Sequence, residues 1–382
     1  MKIALCSDWV YPSIGGVQSH ITGLAVWLSE RGHEVVIVSK EMNRHNIEPP
    51  AYDSNIREIK TRKLSPIEHA IVPPNPSDLR KVFRKERFDV VHAHHAFTPT
   101  ALLSLSVSKE LGIPSVLTNH SISVASSSET LWNSMSHILF PLRKYINEAD
   151  RVIAVSEAAA EFISRFLERK EVHVIPNGVD VSKFSQEKYP DPGLFPQDTR
   201  DCPKIFSVGR LSFRKGFHLL IEAMPNILKE HPDTRLYMAG KGYMMPFLKG
   251  LSNSFGLNDN VSYLGYVSDE ALPWLYNNCD VFAFPSITSE SFGITLIEAM
   301  AAGSAVVASR IGGVPEIVDD EVNGCLFNPW NSKELSEKIS SLLKNPSFAR
   351  KLGVSARKTA VERYSWSVVG GEIVDLYEEL LS

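Results

Sequence analysis

The chain has 382 residues, a formal net charge of −4, and an ordinary globular balance of 43% hydrophobic and 22% charged residues. That length exceeds what one small core can use, so two domains are expected. The charge balance gives no sign of nucleic-acid binding as the main activity. Four cysteines (Cys6, Cys202, Cys279 and Cys325) stand far apart without a CxxC pair, which reads as reduced thiols in a cytoplasmic protein and argues against a structural metal.

The opening "MKIALCSDWVYP" has one early lysine and a short apolar run stopped by Asp8. A signal peptide needs a longer apolar region, so this stretch predicts a first strand. No segment approaches the ~20 apolar residues of a membrane span, which leaves contact with a membrane surface as the only membrane association expected. Residues 17–32 place Val17, Ile21, Leu24, Ala25 and Leu28 at helical spacing and close on Gly32. Further short apolar runs begin at Glu34, Val90, Ser115, Val152 and Val172 and read as buried parallel strands. A Pro-, Asp- and Gln-rich stretch, Tyr189–Pro203, then predicts a linker.

A second strand–helix series starts at "KIFSVGR" and continues through "LYMAG", "VSYLGYV", "DVFAFPS" and "SAVVAS". Two such series predict two doubly wound α/β domains facing a cleft. The expected divisions are 1–195, 203–364 and a last helix over 365–382. Ligands of such sheets bind beyond the carboxyl ends of the strands, so the loops there are the candidates for function.

Gly15 and Gly16 stand immediately before the first helix. A glycine pair there lets a ligand approach the backbone and the free N–H groups of a helix start, with a plain tight turn as the competing reading. The pair is not a GxGxxG fingerprint, which counts against a nicotinamide enzyme. His92, His94 and His95 end a strand, and an HxH can ligate a metal. No HExxH accompanies it, and satisfied strand-end histidines are the stronger reading. Asn119 and His120 follow the next strand, where a neutral imidazole can bond a sugar hydroxyl or hold a proton.

In the second half, Arg210 and Lys215 lie between a strand and a helix, with Gly216 at the helix entry. A fork and a point charge five residues apart suit a diphosphate. Gly240 in "AGKG" and Tyr266 in "LGYV" also end strands and are candidates for lining a base and its ribose. The stretch "SESFGITLIEAM" (289–300) is the most informative. Glu290 sits in a loop, Gly293 at a helix mouth, and Ile294 and Thr295 offer amides where a leaving phosphate would rest. Phe292 is expected to form a wall. Glu298 lies within an otherwise apolar run, where a carboxylate is expensive without a partner; it is expected to take the two hydroxyls of a ribose. Downstream, "GGVPEIV" (312–318) adds a glycine pair and Glu316.

Together the Gly-Gly loop, "HAH", Arg210 with Lys215, and "ESFGITLIE" as E-x7-E resemble retaining glycosyltransferases of family 4, which have the GT-B fold. "SDWVYPSIGGVQSHITGLAVWLSERGHEVVIVS" and "TNHS" are further similar to the subgroup that transfers N-acetylglucosamine to phosphatidylinositol, which usually has Asp where this chain has Asn119. The resemblance implies a nucleoside diphosphate sugar, UDP-linked in that subgroup, and a hydroxyl acceptor. Gly16 would approach the donor, His120 would contact the sugar, Arg210 and Lys215 would neutralise the diphosphate, and Glu290 would orient the sugar. No DxD motif is present, so no metal or other cofactor is expected, nor a covalent nucleophile. The last helix would return to the first domain.

Residues 76–87, "PSDLRKVFRKER", predict a helix with Leu79, Val82 and Phe83 inward and its basic residues outward. That face is either simply solvated or docks on anionic headgroups, at up to ~1 kcal/mol per basic residue near the surface. A lipid-linked acceptor, for instance an inositol phospholipid at the inner membrane face, follows from the second reading. A sugar-nucleotide epimerase and a catalytically silent sugar-nucleotide binder are the rival functions, and a metal-dependent hydrolase rests on the histidines alone.

Overall fold

The computed structural model describes residues 1–10, 15–41, 54–65, 72–122, 139–168, 171–185, 189–196 and 201–382. The chain separates into two compact units, Met1–Gly178 with Trp366–Ser382, and Val179–Ser365. Among the described residues no helix is long and apolar enough to cross a membrane.

The first unit is built on a seven-stranded parallel sheet in the order β3-β2-β1-β4-β5-β6-β7. Its strands are β1 (Lys2–Cys6), β2 (Glu34–Lys40), β3 (Ile56–Thr61), β4 (Val90–His94), β5 (Ser115–Asn119), β6 (Arg151–Ala154) and β7 (Val172–Val174). Successive side chains of a strand point to opposite faces, and β1 shows it. Ile3 and Leu5 join Ile21, Leu24 and Leu28 of helix α1 (Gly16–Ser29) and Val369 and Ile373 of the C-terminal helix. Ala4 and Cys6 join Leu79 and Phe83 of helix α2 (Pro76–Glu86) and Val107 of helix α3 (Pro99–Leu111).

The C-terminal helix Trp366–Leu381 belongs to this unit through two reciprocal Trp–Gly contacts. A Cβ at Gly23 would stand 2.5 Å from the Trp366 ring, and one at Gly370 would stand 2.5 Å from the Trp27 ring. Tyr377 of the same helix reaches His92 Nδ1 at 2.5 Å. Only glycine leaves room for either indole.

The second unit repeats the plan with a six-stranded sheet, β10-β9-β8-β11-β12-β13. The strands are β8 (Lys204–Val208), β9 (Arg235–Ala239), β10 (Val261–Gly265), β11 (Val281–Phe284), β12 (Val306–Ser309) and β13 (Cys325–Phe327). Ile205, Val281, Val307 and Phe327 pack with Leu220 and Ile227 of the helix Phe217–Glu230 and Leu335 and Ile339 of the helix Ser332–Lys344. In both sheets strand order reverses beside the first strand, at β1/β4 and β8/β11, which is where open α/β sheets take ligands.

Two strands escape the sequence reading. β3, "IREIKT", is an edge strand whose apolar run is broken up by Arg57, Glu58 and Lys60, and β13 is three residues long. The chain also divides at Gly178–Val179 rather than between residues 195 and 203. The physical reason is aromatic. Phe184 packs on Tyr276 at 5.8 Å between ring centroids, and Phe195 on Tyr237 at 4.3 Å and Trp274 at 5.2 Å. Those rings bind the Pro-rich stretch to the second unit.

Candidate functional site

In the first unit the switch-point loops bring histidines together. His94 ends β4, His120 follows β5, and His20 lies on α1 one turn beyond Gly16. His94 Nδ1 and His120 Nε2 are 3.3 Å apart, and the His20 ring centroid stands 5.6 Å from His94 and 5.2 Å from His120. All three are buried. Burial, followed by the neighbouring imidazoles, drives His94 and His120 well below the ordinary histidine value, and burial alone holds His20 at about 3. The cluster is therefore neutral at physiological pH.

One nitrogen from each ring lies within 4.8 Å of the others, close enough to hold a metal ion. A metal-bound histidine normally donates its second N–H to an acceptor. Here both His20 nitrogens and His94 Nε2 lack any hydrogen-bond partner among the described residues. The second N–H acceptor that a bound metal calls for is therefore absent at His20 among the described residues.

His92 is a structural residue, bonded to Tyr377 Oη and, through Nε2, to Thr118 Oγ1 at 2.6 Å. Asn119 is also structural. Its amide donates to Ser121 O at 2.8 Å and Ala159 O at 3.0 Å, and its Oδ1 accepts from Ser121 N. A carboxylate could make neither donation, so these contacts account for Asn at the position. Gly15 and Gly16 are exposed at the start of α1. The same loop region holds a buried ion pair, Asp8 with Lys40 at 3.1 Å, in which Asp8 also accepts from Thr100 N at 2.9 Å.

The second unit holds a charged cluster. Lys215 Nζ donates to Glu290 Oε2 at 2.5 Å, Ser286 Oγ donates to the same oxygen at 2.9 Å, and Arg214 approaches it at 3.9 Å. Glu290 is 7% exposed. Burial opposes its charge, but Lys215 and then Arg214 outweigh that and hold its carboxyl below the usual carboxylate range. Lys215 is thus tied to Glu290 by an ion pair. Its ammonium also lies 5.2 Å from the Phe284 ring centroid, and that ring stands 3.2 Å from where a Cβ at Gly293 would be. Lysine, carboxylate and helix mouth therefore form one patch.

Glycine is required at two points around it. Gly216 has φ +68° and a Cβ there would meet Pro285 O at 1.9 Å; Gly240 has φ +131° and would meet Gly209 O at 1.9 Å. Ser289, just before Glu290, holds φ +52°, an uncommon conformation for a residue with a side chain. Ile294 and Thr295 open the helix Ile294–Ala302, where first-turn amides have no helical carbonyl to bond. Arg210 and Tyr266 are exposed at the ends of β8 and β10. Phe292 is a correction: it is 3% exposed and packs edge-on against Tyr364 at 5.6 Å, a core ring instead of a wall.

Glu298 has the partner its apolar surroundings demand. Tyr276 Oη donates to its Oε2 at 2.8 Å, and burial raises the carboxyl to about 7. Tyr276, Ser286, Arg214 and His20 were invisible to sequence reasoning as site residues. The one usable signal was for His20, four residues after Gly16 and so on the same face of α1.

Comparison with known proteins agrees with this layout. Residues 14–183 match the family model described as Glycosyltransferase Family 4, and residues 196–359 match Glycosyl transferases group 1. An uncharacterized glycosyltransferase of Methanocaldococcus jannaschii is 31% identical over 99% of this chain and 98% of its own. The phosphatidyl-myo-inositol mannosyltransferase of Mycobacterium tuberculosis is 30% identical over 99% of this chain and 97% of its own. One component of the human phosphatidylinositol N-acetylglucosaminyltransferase is 30% identical over 84% of this chain and 64% of its own. Among solved structures, a sucrose-phosphate synthase of Thermosynechococcus elongatus superposes with a TM-score of 0.81 at 24% identity, covering 99% of this chain and 98% of that one, a likeness of fold.

Proposed function

The chain belongs to glycosyltransferase family 4, with the GT-B fold and a nucleotide-sugar donor, and from that premise we propose that it is a retaining, metal-independent transferase acting on an inositol phospholipid. The first donor to consider is UDP-N-acetylglucosamine. The observation that carries the reading is the patch of Lys215, Glu290 and the Ile294–Ala302 helix mouth, with Glu298 one turn farther on.

In the proposed reaction the bond from the anomeric carbon to the diphosphate oxygen breaks, and its electron pair leaves with the nucleoside diphosphate. Arg210, Lys215 and the amides of Ile294 and Thr295 stabilise that negative charge, each such donor being worth about 3 kcal/mol in comparable sites. The acceptor hydroxyl attacks from the leaving-group face and passes its proton to the departing phosphate, so configuration is kept. Glu290, ionised by Lys215, accepts hydrogen bonds from sugar hydroxyls. In the first unit His120 offers a neutral imidazole to a sugar hydroxyl and Gly16 leaves the backbone open to a ligand; in the second, Gly240 and Tyr266 are the candidates for lining a base. Fixed cations and amides take the place of a metal.

The acceptor is argued from the relatives. Two of them are named for different sugars, mannose and N-acetylglucosamine, yet both names carry phosphatidylinositol. In this chain α2 carries the candidate lipid-facing charge. Arg80 and Arg84 pair with Glu110 and Asp78 pairs with Arg62, whereas Lys81, Lys85 and Arg87 are exposed without an ion pair among the described residues. We place the protein at the cytoplasmic membrane face, held by those three.

The test is thermal unfolding of metal-free protein with a panel of nucleotide sugars. A donor at ~100 times its dissociation constant adds ~2.7 kcal/mol of stability. One sugar nucleotide should raise the midpoint in the presence of a chelator. If the shift appears only when a divalent metal is restored, metal independence is wrong.

A further inference from the structure

We propose that Tyr276 is a positioning residue for the donor, holding the Glu298 carboxylate in place so that it can accept both hydroxyls of the nucleoside ribose. The inference rests on the reading of Glu298 as the ribose-binding carboxylate and adds the residue that makes that role workable.

The geometry leaves the tyrosine little freedom. Its ring is fully buried and lies between Phe184, Phe206 and Phe282, with centroids 5.8, 5.5 and 5.3 Å away. Its backbone carbonyl is pinned by Ser304 Oγ at 2.7 Å. Its hydroxyl has one partner among the described residues, Glu298 Oε2 at 2.8 Å, and Tyr276 is that carboxylate's only hydrogen-bond partner there. A phenol held this way by an aromatic cage fixes the position of whatever it bonds.

The electrostatics make the bond consequential. Glu298 lies on an apolar helix between Ile297 and Ala299, both buried. Burial pushes its carboxyl up to about 7, and the Tyr276 hydrogen bond is the largest influence in the opposite direction. Lys183 acts weakly the same way and Asp269 weakly against, while Cys279 and Asp269 act on the tyrosine itself. Burial, and then the Glu298 charge, hold the Tyr276 hydroxyl well above its ordinary value, so it remains a donor throughout the working range. Without that donation Glu298 would be protonated over more of the physiological range, and a protonated carboxyl turns one oxygen into a donor and is the weaker acceptor for two hydroxyls. A tyrosine that merely satisfied itself in a core would leave donor binding indifferent to its hydroxyl.

The test compares wild type, Tyr276→Phe and Glu298→Gln, measuring donor KM and kcat from pH 5.5 to 9. In wild type, donor KM should fall as pH rises through about 7. Tyr276→Phe keeps the ring and should raise donor KM about five- to twenty-fold at pH 7. It should leave kcat within about two-fold and move the KM midpoint to higher pH. Glu298→Gln should weaken donor binding and abolish the pH dependence. If Glu298→Gln leaves donor KM unchanged, the ribose reading itself fails, whatever the tyrosine does. If Glu298→Gln weakens binding but Tyr276→Phe moves neither KM nor the midpoint, the inference is overturned and the tyrosine is core. Ser304→Ala is the second variant, should Tyr276→Phe fold poorly. It loosens the Tyr276 carbonyl and should give a smaller change in the same direction, and an unchanged midpoint there counts against the proposal equally.

Discussion

Lys215 and Glu290 illustrate how much a single contact decides. Sequence spacing identifies both residues as functional, but assigns the lysine to a diphosphate and the carboxylate to a sugar. The structure shows them paired, with Ser286 completing the carboxylate's bonds. Removing Lys215 would leave a carboxylate that is 7% exposed with Ser286 and, at 3.9 Å, Arg214 as its remaining partners among the described residues. Lys215→Met should therefore cost about 3 kcal/mol of stability by denaturant titration, the scale of an orphaned buried charge. It should also lower kcat by about two to three orders of magnitude. An unchanged unfolding midpoint would mean the pair is not formed in solution.

The histidines give a second residue-scale expectation. Folded His20 sits at about 3, and His92 likewise, against about 6.5 in an unfolded chain. The unfolded state binds more protons on these histidines between those values, so their contribution to stability should fall as pH drops from about 6.5 towards 3, while Glu298, raised to about 7, opposes it by costing stability as pH rises towards about 7. Chemical denaturation from pH 5 to 8 would check this. His20→Gln should flatten the dependence and show that the cluster is its source. Their packing together was not readable from the sequence, because His20 on α1, His94 at the end of β4 and His120 after β5 become neighbours only in the fold. The Tyr276–Glu298 bond was hidden for the same reason: the cost of an apolar carboxylate announced that a partner must exist, but not which.

At the scale of elements, most of the sheets were legible. Buried parallel strands are short apolar runs, and helices between them show a 3.6-residue period. The edge strand β3 was missed because Arg57, Glu58 and Lys60 break up its apolar run, and charged residues on an edge strand discourage pairing with other chains. The Pro-rich stretch reads as a bare linker because composition reports Pro and Gln but not that Phe184 and Phe195 find aromatic partners. Phe292 erred in the same way, since an aromatic beside a glycine at a helix mouth can face either side of the backbone. Tight backbone crossings give the sharpest element-scale expectation. Gly216→Ala would add a Cβ 1.9 Å from Pro285 O at a positive φ, forcing apart the loops that carry Lys215 and Glu290. It should cost about 2–4 kcal/mol in thermal or denaturant unfolding and reduce donor affinity with it. A neutral result would contradict the crossing.

For the whole molecule, the C-terminal helix is part of the first unit's core, not an appendage. Deleting residues 366–382 removes Trp366, Val369, Ile373 and Tyr377 from among buried apolar partners. The truncated chain should lose cooperative unfolding of that unit, seen as a lost calorimetric transition. The exposed lysines of α2 set the expectation for membranes. Lys81→Glu with Lys85→Glu should reduce sedimentation with anionic vesicles and leave donor-induced thermal stabilisation unchanged. Equal binding by the variant and the parent protein would remove α2 from the account.

The proposed transfer to an inositol lipid is tested by product formation. Purified protein in chelator would be incubated with phosphatidylinositol vesicles and, separately, radiolabelled UDP-N-acetylglucosamine, UDP-glucose and GDP-mannose. The label in the lipid fraction would be counted and the anomeric configuration of the product read by NMR. One donor should label the lipid with retained configuration, and Glu290→Gln should abolish the labelling. Labelled lipid with inverted configuration, or no labelled lipid from any donor that stabilises the protein, would contradict the proposal.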